Sequence, residues 1–391
     1  MGARQTASFV RNDHRFLGRS GEAEDVQVVG AEGSRVRDAR GRTFIDFTMG
    51  WCVGNLGWNP EPIVSKVRAF KGPTYVQPSF VYPRWADLAS LLVEIAPASI
   101  RRAYRATTGT EAVELALQLA MTATGRHKLV SLEGAYHGNS LAARSIGEGD
   151  GESLLRGCMK LKLPLDDKAL ERLERMLAHR DVAAFILEPI AMNLGVEIPS
   201  GGLMRELVPL CHRYGTLVIA DEVACGFGRT GKLFAVEHWD VEPDLMCLAK
   251  SITSGVAPLG AVLASDQISR DAEDLAFYAT FGWHPLAVEA AIATVRYWQL
   301  HGDELLANVA ERSNEVRRRL STALPDDAEL TMIGLAIAIH TGDAEAIGER
   351  CRKRGLLVSP EEDVVLVIPA LNIDAETLAE GLDILESAMN H

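Results

Sequence analysis

Short apolar runs punctuate the chain at Asp181–Leu187, Leu217–Ala220 and Leu245–Ala249, each bounded by polar or turn-forming residues. Runs of this length are too short for helices and read as strands buried on both faces, the pattern of a parallel sheet. Lys128–Leu132 and Ala261–Ala264 read the same way. Between these runs, apolar residues at helical spacing predict helices over Ala112–Thr124 and Leu203–Tyr214. Strand, helix and strand in alternation predict a doubly wound α/β sheet. Upstream, alternation over Gln27–Gly30, Ser34–Asp38 and Thr43–Phe47, with a turn at Asp38–Arg42, predicts a strand hairpin. Helices over Glu61–Lys71 and Arg84–Ile95 flank a loop with three prolines that carries Tyr75, Phe80 and Tyr82. Downstream the spacing predicts a helix from Leu286 to about His301 and a second over Glu304–Leu324. A strand over Leu335–Ile339, a helix over Asp343–Arg354, a strand over Val364–Ile368 and a final helix from Ala375 complete the pattern.

What the strands deliver matters more than the strands. Leu217–Ala220 ends on Asp221 and Glu222, and Leu245–Ala249 ends on Lys250, which a Gly/Pro-containing loop follows. In open α/β sheets ligands bind just beyond the carboxyl ends of such strands, so an acid and a lysine leaving neighbouring strands meet at one site. A lysine amine forms a Schiff base with a carbonyl, including the aldehyde of pyridoxal phosphate (PLP). A carboxylate beside the pyridine nitrogen keeps that nitrogen protonated and makes the ring an electron sink. Taken singly, Asp221 reads as a turn cap and Lys250 as a solvated lysine; it is the pairing that carries the chemistry. Thr108-Gly109-Thr110-Glu111 opens a helix, and such a start offers unpaired N–H groups to a phosphate, or a plain N-cap.

Composition narrows the classes. With 391 residues, 47% hydrophobic and 24% charged, the chain is long enough for two or three packed lobes. Its formal charge of −13 argues against a nucleic-acid partner. Six cysteines without ligand spacing read as reduced thiols of a cytoplasmic protein, with no metal site. The first residues lack the apolar core of a signal peptide, and no uncharged apolar run is long enough for a membrane span. Residues 1 to about 25 read as a polar arm, and Gly147–Gly151 as a flexible loop.

DEVACGFGRTG followed by PDLMCLAKSITSGVAPLGAVLAS resembles the core of the class III aminotransferases, PLP enzymes of fold type I. The likeness extends over roughly Asp38–Ala370. It implies a mostly parallel central sheet flanked by helices, with a smaller α+β domain built from the N- and C-terminal segments. The division expected is 1–50 for the arm and part of the small domain, 51–285 for the PLP-binding domain, and 286–391 for the C-terminal small domain. It further implies that Lys250 carries the cofactor and Asp221 holds its ring nitrogen. Tyr136 covers one ring face, Val223 packs on the other, Glu188 belongs to the cofactor site, and Gly109 and Thr110 cradle the phosphate. Thr280 would reach the phosphate in the neighbouring subunit, making a homodimer with shared sites, or a tetramer built from it. His137 reads as structural beside the ring. Where many relatives have a glutamine-containing run after Glu188-Pro189, this chain has Ile190-Ala191-Met192-Asn193-Leu194-Gly195-Val196.

The substrates implied are an amine or ω-amino donor and a keto acid or aldehyde acceptor. Trp51 is a candidate for the substrate pocket. A position that is arginine in some relatives is Ser359, which leaves Arg229 as the candidate for a substrate carboxylate. Three alternatives stand beside this reading. Thr124–Asn139 resembles the glutamate-1-semialdehyde aminomutase branch. Gly226–Gly231 spells GxGxxG, a lone motif of dinucleotide-binding oxidoreductases. A PLP-fold regulator without turnover is the third.

Overall fold

The computed structural model describes residues 13, 15–18, 26–147 and 154–390. Most of the expected N-terminal arm and residues 148–151 of the expected loop lie outside them. Three sheets organise the rest. The chain opens with antiparallel strands β1 (Val28–Glu32), β2 (Arg35–Asp38) and β3 (Thr43–Asp46), then helices α1 (Glu61–Arg68) and α2 (Pro83–Ile95). Seven strands follow: β4 (Arg102–Ala106), β5 (Lys128–Leu132), β6 (Cys158–Leu161), β7 (Val182–Leu187), β8 (Leu217–Asp221), β9 (Leu245–Leu248) and β10 (Gly260–Ala264). They form one sheet in the order β4-β10-β9-β8-β7-β5-β6. All run parallel except β10, which lies antiparallel between β4 and β9.

The apolar runs are apolar throughout because both sheet faces are covered. Helix α3 (Gly109–Thr124) lies on one face and α6 (Gly201–Arg213) on the other; α4 (Leu141–Ile146) and α5 (Lys168–Leu177) complete the layers. On β8, Ile219 packs with Leu115, Ala116 and Leu119 of α3, while Val218 and Ala220 pack with Leu203, Leu207 and Leu210 of α6. Alternate residues of a strand point to opposite faces, so a doubly covered strand has no polar register.

After the short helix α7 (Asp266–Asp271), the two helices expected downstream of Leu286 are a single one, α8 (Pro285–Ala323), 39 residues long. Gly302 sits inside it and costs about 1 kcal/mol against alanine. The burial of Trp298, Leu305 and Val309 on either side outweighs that cost. The last segment forms an antiparallel sheet, β11-β12-β15-β14, from β11 (Glu329–Ile333), β12 (Ala336–His340), β14 (Ser359–Glu361) and β15 (Val364–Val367), with helices α9 (Ala344–Arg354) and α10 (Ala375–Met389). A two-residue strand, β13 (Leu356–Leu357), pairs in parallel with β3, so the two ends of the chain share a sheet. β11 was not expected from the spacing: its pattern of partial burial, with one fully buried residue, gives only a weak alternation.

One turn departs from ordinary backbone. Met49, Gly50, Trp51 and Cys52 all adopt positive φ, 42°, 57°, 57° and 65°. Asp46 holds its entrance: one carboxylate oxygen accepts from Thr48 N at 2.8 Å, Thr48 Oγ1 at 2.6 Å and Met49 N at 3.1 Å. The other accepts from Trp58 Nε1 at 2.8 Å. At its exit the Ser251 hydroxyl donates to the Cys52 carbonyl.

Candidate active site

At the carboxyl ends of β4, β7, β8 and β9 the backbone leaves the sheet around a cavity of about 360 Å³. The β4 end supplies Thr107–Thr110, the loop after β5 supplies Tyr136–Gly138, β7 supplies Glu188, β8 supplies Asp221 and Val223, and β9 supplies Ala249 and Lys250. Gly109, Thr110, Tyr136, Glu188, Asp221, Val223 and Lys250 therefore line one space.

The helix start is built for an anion. Thr108 caps α3, its hydroxyl accepting from Glu111 N at 3.4 Å, and Glu111 Oε2 turns back to accept from Thr107 N at 2.6 Å. Free N–H groups and the positive end of the helix dipole face the cavity there. The loop is packed tightly. A Cβ on Gly109 would lie 3.1 Å from Val223 Cγ1, and one on Gly138, at φ 122°, 2.5 Å from Thr110 Oγ1.

Asp221 is nearly inaccessible, and His137 Nδ1 lies 2.7 Å from its Oδ2 while Val223 N donates to Oδ1 at 3.1 Å. The other histidine nitrogen, Nε2, is buried without a hydrogen-bond partner. His137 thus orients Asp221, a contact between residues 84 apart that the sequence does not announce. The adjacency of Tyr136 and His137 was the one available signal. Tyr136 is partly exposed at the cavity mouth, its hydroxyl accepting from Asn139 Nδ2 at 3.1 Å. Lys250 opens a tight turn at φ 45°, a left-handed conformation that costs a non-glycine residue about 1–2 kcal/mol. Glu188 is buried, and Met192 N donates to its Oε2 at 2.7 Å. Burial first, and the nearby Asp221 charge second, push the Glu188 carboxyl up to about 8, while Lys250 and the Met192 N–H pull it down.

The other candidates lie elsewhere. Arg229 is fully buried away from the cavity. Its Nη1 donates to the carbonyls of Leu335 at 3.0 Å and Pro369 at 2.7 Å, and its Nη2 to Asn55 Oδ1 at 2.6 Å. This guanidinium pins the Gly226–Gly231 turns to the C-terminal segment; its Nε has no hydrogen-bond partner but is buried away from the cavity, out of reach of a substrate carboxylate. The turns open no helix, so GxGxxG there is not a dinucleotide loop. Trp51 is half-buried against an apolar cluster with Ile190, Met192, Ala224 and Leu366, beside the cavity lining. Thr280 is exposed and outside the cavity, on a loop where Tyr278 and Phe281 are also exposed. Val53 and Thr253, which do line the cavity, carried no sequence signal.

A buried carboxylate, a lysine across the cavity and a helix start for a phosphate fit PLP, whose ring nitrogen, aldehyde and phosphate are spaced along one molecule. The class-III aminotransferase family model matches residues 18–389. The chain is 34% identical over 382 residues to the acetylornithine aminotransferase of Methanopyrus kandleri, covering 93% of this chain and 94% of that one. It is 32% identical over 342 residues to the aminotransferase PigE of Serratia sp., 83% of this chain but only 39% of that longer protein. The fold superimposes with TM-score 0.92 on the taurine:2-oxoglutarate aminotransferase from Bifidobacterium kashiwanohense, solved in complex with PLP and glutamate, at 26% identity over 98% of this chain and 97% of that one. Match, identity and fold agree with the cavity: the chain belongs to the class III aminotransferases, enzymes that work with pyridoxal phosphate.

Proposed function

We propose that this aminotransferase takes nitrogen from an amine or ω-amino donor and delivers it to a keto acid or aldehyde, as a cytoplasmic homodimer with shared sites. One observation carries the donor class. Among the described residues lining the cavity there is no arginine, and Arg229 is committed to backbone carbonyls and Asn55. A carboxylate next to the reacting amine would have no bidentate partner.

When bound, PLP would supply an electron sink for the substrate carbon that bears the nitrogen, loosening that carbon's proton. The chain's residues do the remainder. Asp221, fixed by His137, holds a proton on the ring nitrogen. Lys250 Nζ takes and returns the substrate proton. Tyr136 and Val223 pack the two ring faces, and the N–H groups of Gly109 and Thr110 hold the phosphate together with Thr280 of the partner subunit. Support for the dimer is the exposure of Thr280, Tyr278 and Phe281 on one loop, with Phe281 edge-on to Tyr75 at 5.9 Å. Support for a reducing compartment is that Cys52, Cys211, Cys225, Cys247 and Cys351 are buried free thiols.

The test is an absorbance spectrum of the purified protein titrated with a panel of amines and α-amino acids, with no acceptor present. Bleaching of the visible cofactor band by amines but not by α-amino acids is expected, with recovery on adding a keto acid. Lys250→Ala is expected to lose borohydride-fixable cofactor and at least about a hundredfold in rate. A band that only α-amino acids bleach overturns the donor class.

A further inference from the structure

Two carboxyls, Glu188 and Asp221, stand side by side on adjacent strand ends in the wall of one cavity. They are not equivalent. Asp221 has a histidine at 2.7 Å and the Val223 N–H. Glu188 has backbone N–H groups at Met192 and Asn193, and no side-chain cation bonded to it. Two buried like charges in one pocket do not both ionise easily, and the one with the poorer partners keeps its proton. The charged or titratable groups that face Glu188 are Asp221 from β8, Lys250 from the turn after β9, and Cys225 from the loop after β8. His137, from the loop after β5, reaches it through Asp221.

The sheet order then says what that proton meets. With PLP's nitrogen at Asp221, its aldehyde carbon toward Lys250 and its phosphate on the α3 start beyond β9, one ring edge is left, and it faces β7. That edge carries the phenolic oxygen.

We propose that Glu188 is a neutral carboxylic acid in the resting protein and donates its proton as a hydrogen bond to the phenolic oxygen of PLP. This deepens the function proposed above and rests on the same cofactor placement. Its consequence is a pH-dependent hold on the cofactor, lost when Glu188 ionises and its charge repels the phenolate. The acid's ordinary value is 4.5, and burial and Asp221 raise it to about 8. The hydrogen bond is thus present at neutral pH and fails as pH rises through that region.

The first measurement uses the protein stripped of PLP. Infrared difference spectra between neutral and alkaline pH are expected to show a protonated-carboxyl stretch that disappears with rising pH, that is missing from Glu188→Gln, and that in Asp221→Asn disappears at a lower pH because the neighbouring charge is gone. The wild-type spectrum needs no variant to fold, and absence of the band overturns the proposal, as does a band unchanged in Glu188→Gln. The second measurement is PLP affinity against pH. Glu188→Gln is expected to bind PLP within about threefold of wild type near pH 6.5 and roughly tenfold tighter near pH 9.5. Any other group that titrates over this range acts on both proteins alike, so parallel curves overturn the proposal. A wild type that takes up no PLP sinks the cofactor placement instead, a result the infrared band does not depend on.

Discussion

At the scale of single residues, Arg229 shows how a side chain that suggests recognition can be structural. Its guanidinium bonds span Asn55, Leu335 and Pro369, three points far apart in the chain. Arg229→Leu leaves two carbonyls and an amide oxygen buried without donors, at roughly 1–3 kcal/mol for each. The variant is expected to lose at least about 3 kcal/mol in denaturant unfolding while the surviving folded fraction keeps its donor preference; an altered preference with unchanged stability would return Arg229 to the substrate. Asp221 and Lys250 were legible because apolar runs deliver them to strand ends. His137 was not. Its importance lies in where Nδ1 points, and ring orientation is fixed by packing across 84 residues.

At the scale of elements, the cradle and the sheet edges set the tolerances. Gly138 has φ 122° and no room for a Cβ beside Thr110. Gly138→Ala is expected to cost about 1–3 kcal/mol of stability through backbone strain and to weaken PLP binding about tenfold, since Thr110 must move. Titration of bound cofactor and a thermal melt check both. His212, in the last turn of α6, lies 3.0 Å from Asp244 Oδ2, which also accepts from Val218 N at 2.8 Å. The hydrogen bond to Asp244 lifts this histidine above its ordinary 6.5. A raised histidine stabilises the fold fully below 6.5 and stops doing so as pH rises through its folded value. Wild type is expected to lose a little stability across that window, and His212→Gln to show a flatter profile in melts from pH 5 to 9. The buried strands β5, β7, β8 and β9 were legible as apolar runs, whereas the half-buried β4, β6 and β11 were not, and neither was the antiparallel setting of β10, because an all-apolar strand reads identically in either direction. The unbroken α8 was hidden by Gly302, where intrinsic preference and packing disagree.

At the scale of the whole molecule, the boundaries 1–50, 51–285 and 286–391 stand as a proposal. The pairing of β3 with β13 supports it, since it joins the first and last segments in one sheet. Phe281 and Tyr278 lie on the face proposed for the second subunit. Replacing both with glutamate is expected to give a monomer in sedimentation and to lower PLP affinity at least about tenfold, because Thr280 of the partner subunit is withdrawn. A variant that stays dimeric places the interface elsewhere.

The Arg229 contacts also order events during synthesis. The guanidinium leaves the ribosome long before Leu335 and Pro369 exist to receive it, and β4 has no sheet partner until β10 follows. A nascent chain halted anywhere before Pro369 therefore presents a guanidinium short of at least one of its carbonyl partners and loosely held turns around it. Contacts of such long sequence separation form slowly and leave apolar surface open in the meantime. The same guanidinium that locks the finished protein thus makes the segment from Leu335 onward decisive for folding. A chain ending short of Pro369 is a natural client for chaperones rather than a smaller enzyme.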